Sequence, residues 1–166
     1  MEKLSKYSTH LTMLMKVVAV TTGPVLELGV GSGSTPALNR ECAQKGRMVV
    51  SCDSDRKYLV KYADEYASGN HSFRLVGEWA SEKIEQPWDV VLVDHRPAWR
   101  RRLDVARLAN CAQYIVVHDT EPDIDRFYRF SRIWKYFRYI HHDQIIPRTT
   151  VLSNFHPLDW LKDGEN

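Results

Sequence analysis

Cysteine is scarce in this chain and badly spaced for structural work. Its three residues, Cys42, Cys52 and Cys111, are odd in number, lie far apart and form no C-x-x-C pair. That excludes a disulfide framework and a cysteine-ligated zinc site, and it fits small buried residues in a reducing compartment. A dominant charge is missing too. Lys and Arg number 23 against 21 Asp and Glu, a formal net charge of +2, so the bulk field announces neither nucleic acid nor a membrane as partner. No apolar run approaches the ~20 residues that cross a bilayer. Near the N-terminus the apolar residues recur at helical spacing around Lys16 instead of forming a secretory core. Internal repeats, low-complexity tracts and linkers are absent. At 166 residues the expectation is one soluble, cytoplasmic domain, too small to pair a nucleotide domain with a separate catalytic one.

What the chain does have is a glycine loop between a strand and a helix. Val25-Leu26-Glu27-Leu28 is an apolar β-type run that breaks into Gly29-Val30-Gly31-Ser32-Gly33. Ser34-Thr35-Pro36 follows, with Ser34 at the expected N-cap and proline in the first helical turn. Residues without Cβ let the backbone turn sharply and approach a ligand, and the helix beyond presents free N–H groups. The dinucleotide fingerprint places glycines as G-x-G-x-x-G, whereas here they fall at 29, 31 and 33. Further on, Met48-Val49-Val50-Ser51-Cys52 reads as a second buried strand ending at Asp53, twenty residues past Gly33. A carboxylate there can accept from both hydroxyls of a ribose, and Asp55 suits the cap of the next helix.

Acid-x-Gly-x-Gly-x-Gly, running from Glu27 to Gly33, resembles motif I of the class I S-adenosylmethionine (SAM) methyltransferases. The resemblance implies that Gly29, Gly31 and Gly33 wrap the methionine and ribose of SAM and that Glu27 helps hold its amino acid end. It also implies a Rossmann-like α/β fold, a seven-stranded, mostly parallel sheet in the order 3-2-1-4-5-7-6 with helices on both faces. The spacing of the remaining elements agrees with strands alternating with helices. Residues 3–20 are expected to form an amphipathic helix over the domain, with Tyr7 and His10 either lining the cleft or simply covering the sheet. The domain proper is expected over residues 23–155, followed by a short, partly loose tail over 156–166. Glu78 and Trp79, just past the third strand, sit where this superfamily meets the adenine. An ordinary helix start and a core tryptophan fit them equally well.

The fourth and fifth strands end in Asp94-His95 and His118-Asp119-Thr120. Ligands of open α/β sheets bind beyond the carboxyl ends of the strands at the switch in strand order. Neighbouring strands are about 4.8 Å apart, so one magnesium ion could bridge Asp94 and Asp119 and activate a bound hydroxyl. Both strand ends resemble those of the catechol-type metal-dependent O-methyltransferases. That likeness implies metal ligands at Asp94, Asp119 and Thr120, with Thr120 in place of an amide, and His95 against the adenine. Pro97 stands where those enzymes keep a lysine base, which leaves His118, with Asp94 and Asp119, as the expected catalytic group. The expected reaction is therefore methyl transfer from SAM to a small hydroxylated acceptor. Arg126, Arg129, Arg132, Lys135 and Arg138, interleaved with aromatics, keep an RNA methyltransferase open. Period three is not helical, however, so these side chains form no single stripe, and the aromatics can equally fill the core or a homodimer contact. A non-catalytic SAM-binding subunit is the third reading.

Overall fold

The computed structural model describes residues 9–162. Its strands are β1 (Val25–Leu28), β2 (Val49–Asp53), β3 (His71–Leu75), β4 (Trp88–Val93), β5 (Ala112–His118), β6 (Tyr139–His142) and β7 (Thr149–Ser153). They form one sheet in the order β3-β2-β1-β4-β5-β7-β6, as expected. The first five strands run parallel, and β7 lies antiparallel between β5 and β6. The helices are α1 (His10–Ala19), α2 (Ser34–Gln44), α3 (Arg56–Tyr66), α4 (Arg101–Leu108) and the single turn α5 (Asp125–Tyr128). Among the described residues no helix is long and apolar enough to cross a membrane.

The near-continuous apolar strands are explained by cover on both faces. In β4, Val90 and Leu92 point to one side and join Met13, Leu14 and Val17 of α1 and Leu38 of α2. Val91 and Val93 point to the other, among Val105 and Leu108 of α4, Trp79, Ile84 and Phe130. The period of two thus splits one strand between two cores.

The first helix is described from His10, and its expected earlier part, with Tyr7, lies outside the described residues. The tail packs on the domain as far as residue 162, and its last residues lie outside the described ones. Asp159–Leu161 makes a 3-10 turn that buries Leu158 and Leu161 against the α1 side of the sheet, because two leucines three apart are apolar enough to dock. Ser34 is not the N-cap, since α2 already starts at Ser34 and its cap is Gly33, which brings no side chain. Thr35 serves the loop instead, its Oγ1 accepting from Gly31 N at 2.9 Å.

Candidate functional site

The carboxyl ends of β1, β2, β4 and β5 open into a cavity of about 740 Å³. One wall is the glycine loop, residues 29–34; the others carry Asp53, Asp94, His95, Arg101, His118, Asp119 and His10. Gly29, Gly31, Gly33 and Asp53 therefore line one cavity. Their reasons for being what they are differ. Gly29 has φ 99°, and a Cβ there would lie 2.7 Å from the backbone of Asp94 and His95, so this glycine is required by the adjoining strand end. At Gly31 the nearest atom to an added Cβ is Ser34 Oγ, at 3.8 Å, and the space beside it belongs to the cavity.

Asp53 is half-buried at the tip of β2. Its Oδ2 accepts from Val30 N at 3.0 Å and its Oδ1 from Asp55 N at 2.8 Å, which fixes the carboxylate and leaves each oxygen a further lone pair. Asp55 caps α3 through Tyr58 N.

Glu27 does not reach the cavity. It is fully buried beneath the loop, accepting from Thr35 Oγ1 at 2.9 Å and from Ser51 Oγ. Burial pushes its carboxyl up to about 7, against the opposing hydrogen bonds from Ser34, Ser51 and Thr35. Glu27 braces the loop from below, because β1 is covered on both faces and its side chains have nowhere else to point.

At the tips of β4 and β5 the two aspartates converge, but on a guanidinium. Arg101, at the start of α4 and only 5% exposed, pairs with Asp94 Oδ1 at 2.8 Å and Asp119 Oδ2 at 3.0 Å. Its Nε donates to His95 O at 2.7 Å and Nη2 to Asp94 O at 3.0 Å. A magnesium ion bridging Asp94 and Asp119 is accordingly not supported, since a fixed cation already holds both carboxylates. Thr120 is turned away from the cavity, its hydroxyl 2.7 Å from Thr150 Oγ1 and 3.2 Å from Arg148 O. Asp119 takes φ 59°, a left-handed conformation that Asp tolerates better than most residues.

His118 is buried with Nδ1 3.4 Å from Asp94 Oδ2 and 3.6 Å from Asp119 Oδ1. Burial opposes its charged form, yet the Asp94 carboxylate outweighs burial and raises its pKa. Asp94 shows the converse: burial pushes it up, and His118 and Arg101 more than reverse this, holding it below the usual range. His10 packs edge-on against His118, ring centroids 4.7 Å apart, and burial lowers its pKa to about 4.

His95 is buried, donating from Nε2 to Asp104 Oδ2 at 3.0 Å and stacking on Trp79 with centroids 4.0 Å apart. Trp79 is a core residue whose Nε1 donates to Arg96 O at 2.7 Å, so it supports His95 from behind instead of facing the cavity. Glu78 is exposed and stands outside the cavity. Neither lines the cavity, because the chain packs Trp79 into the core against His95 and leaves Glu78 facing solvent.

Arg101 was not singled out from the sequence, although a signal existed. Arg100, Arg101 and Arg102 open a helix, where the macrodipole disfavours cations, so such a run implies carboxylates that hold them. Arg100 and Arg107 do in fact pair with buried Asp104.

No family model matches the chain, and no curated protein matches it in sequence. Solved structures do match. The N-methyltransferase NodS from Bradyrhizobium japonicum superposes with a TM-score of 0.66 at 10% identity, covering 94% of this chain and all of that one. An RNA methyltransferase from Salinibacter ruber, solved with S-adenosyl-L-homocysteine, gives 0.61 at 14% identity over 89% of this chain and 92% of its own. A methyltransferase structure from Thermoplasma acidophilum gives 0.54 at 16% identity, and this chain spans 66% of its length. Strand order, crossover positions and these superpositions agree: the chain has the class I SAM-dependent methyltransferase fold.

Proposed function

We propose that this protein is a SAM-dependent methyltransferase that methylates a hydroxyl group of a small acceptor. The observation that carries the reading is the single cavity in which the glycine loop, Asp53 and the Asp94–His118 pair meet. The residues fit the donor. The lone pairs left on Asp53 suit the two hydroxyls of a ribose, and the open space at Gly31 admits a ligand against backbone. Glu27 acts on the donor only through the loop that it braces.

When bound, SAM supplies an electrophilic methyl on a sulfonium. The chain has then to hold an acceptor oxygen in line with that methyl, which accounts for much of the rate by alignment alone, and to take a proton. Thr9 Oγ1 donates to Pro147 O at 2.8 Å, so its 3.0 Å contact with His118 Nε2 must be a bond that the imidazole donates. Neutral His118 therefore carries its lone pair at Nδ1, on the side of Asp94. The acceptor hydroxyl loses its proton to that nitrogen, and Asp94 stabilises the imidazolium formed. The donor would keep the electron pair of its methyl–sulfur bond on sulfur, so that the products would be S-adenosylhomocysteine and the methyl ether.

A second reading, transfer to RNA, rests on the exposed faces of Phe127 and Tyr136, each with a cation over its ring, Arg126 at 4.6 Å and Lys135 at 5.4 Å. Calorimetry with S-adenosylhomocysteine should give one site per chain, weakened roughly tenfold or more in D53A, since a charge-assisted hydrogen bond is worth about 1.5–3 kcal/mol. Labelled-methyl transfer to hydroxylated small molecules and to RNA then separates the readings. A chain that does not bind the nucleoside refutes both.

A further inference from the structure

The cavity holds a histidine with no evident employment. His10 is 2% exposed, and neither of its ring nitrogens has a hydrogen-bond partner. A buried imidazole without partners is costly, and this one lies against the ring of His118 while lining the cavity.

The neighbouring lone pairs are arranged in the same sense. Because His118 Nε2–H is committed to Thr9, Nδ1 of the neutral ring presents a lone pair to Asp94 Oδ2 at 3.4 Å. A proton shared between that nitrogen and Asp94 Oδ2 fills the place in the metal-free protein, and Arg101 leaves this oxygen open to another cation, since it binds the other one, Oδ1. One nitrogen from each histidine and one oxygen from Asp94 all lie within 4.8 Å of one another.

We propose that His10, Asp94 and His118 form a binding site for a divalent first-row transition ion of the zinc or cobalt kind. Two imidazoles and one carboxylate are the donor set such ions prefer, whereas magnesium favours oxygen. Ligand atoms about 2.0–2.2 Å from a tetrahedral ion stand about 3.4 Å apart, the separation already found between His118 and Asp94. Bringing in the third ligand asks for a movement on the order of 1 Å by the His10 ring, in line with its lack of competing bonds. Three protein ligands leave a coordination position for water or an acceptor oxygen. The site differs from an ion bridging Asp94 and Asp119, because Asp119 is not a member and Thr120 faces elsewhere. An ion on Nδ1 also excludes that nitrogen from accepting a proton, so metal loading and base catalysis by His118 are alternatives.

The test is direct binding of Zn2+ by calorimetry to the full chain, with Co2+ absorption spectra reporting the ligand field. The expected result is one zinc per chain. In H10F, D94N and H118F affinity should drop by at least the roughly 10–100-fold that loss of even an outer partner costs a metal site, while C111S leaves it unchanged. Thermal melts of each variant establish that it is folded. If H10F, the variant furthest from the Arg101 pairs, folds and binds zinc as tightly as the parent, or if the parent takes up no zinc, the site does not exist. Binding of S-adenosylhomocysteine by chelator-treated protein is independent of either result, so failure here leaves the methyltransferase reading standing.

Discussion

Glu27 offers the sharpest test of how the loop is built. Its carboxyl moves from the ordinary 4.5 to about 7 on burial. Between those values the folded state binds more protons than the unfolded state, so stability falls as pH rises through this window. Above the folded pKa the penalty is complete, on the order of 3 kcal/mol from the free-energy equivalent of each pH unit; below about pH 4.5 it vanishes. In E27Q the titration is gone. Urea unfolding followed by tryptophan fluorescence should therefore show E27Q gaining on the parent by about 3 kcal/mol between pH 4.5 and 8.5. With a slope of about 2 kcal/mol/M, that is a relative midpoint shift of roughly 1.5 M. Any fixed cost of placing an amide beside Thr35 and Ser51 is the same at every pH and cancels. His10 and His71, held neutral to about 4 by burial, lose stability in the opposite direction as pH falls, and they too cancel in the difference. Two parallel curves would refute the reasoning and mean that Glu27 ionises as freely in the fold as outside it.

The two cavity-facing glycines should fail differently. G29A places a Cβ against backbone at positive φ and should lower the melting temperature by about 4–8 °C, the equivalent of ~2 kcal/mol of strain. G31A should melt like the parent while weakening S-adenosylhomocysteine in calorimetry, and equal melting temperatures for all three proteins would overturn the distinction. R101M strands two carboxylates around a buried position. Loss of one partner from a buried pair costs about 3–5 kcal/mol, so its melting temperature should fall by about 6 °C or more; a fall under about 2 °C would show that the pairs contribute little.

Much of the fold could be read from the sequence because its signals are local. The alternation of apolar strands with helices, the breaks at Gly46 and Pro87, and the glycine loop each report on neighbouring residues, and the parallel sheet follows from them. The site was legible where it depends on strand tips: Asp53, Asp94, His118 and Asp119 all lie in the cavity. It was not legible where side chains from distant segments decide. Glu27 reads as a ligand contact until Ser51 and Thr35 are seen to enclose it. Trp79 and Glu78 sit at the right place in the chain, but packing against His95 chooses the core for the first and solvent for the second. Arg101 enters from a helix seven residues beyond Asp94, and no spacing rule tells which of three consecutive arginines turns inward.

The charges around that arginine bear on donor against product. Arg101 contributes one positive charge, Asp94 and Asp119 two negative ones, and His10 none, so at a pH above the raised pKa of His118 the group carries a net −1, and below it none. An ordinary metal bridge between the aspartates would make the same place neutral or positive. The arrangement found instead leaves a small negative excess, complementary to a sulfonium and indifferent to the uncharged thioether that remains after transfer. D119N removes that excess without touching the glycine loop or Asp53. It should weaken SAM by several-fold, about 1 kcal/mol, relative to S-adenosylhomocysteine in parallel titrations at low salt and at alkaline pH, where His118 is neutral. Equal weakening of both ligands would mean that Asp119 only positions Arg101 and that the field at the strand tips does not distinguish donor from product.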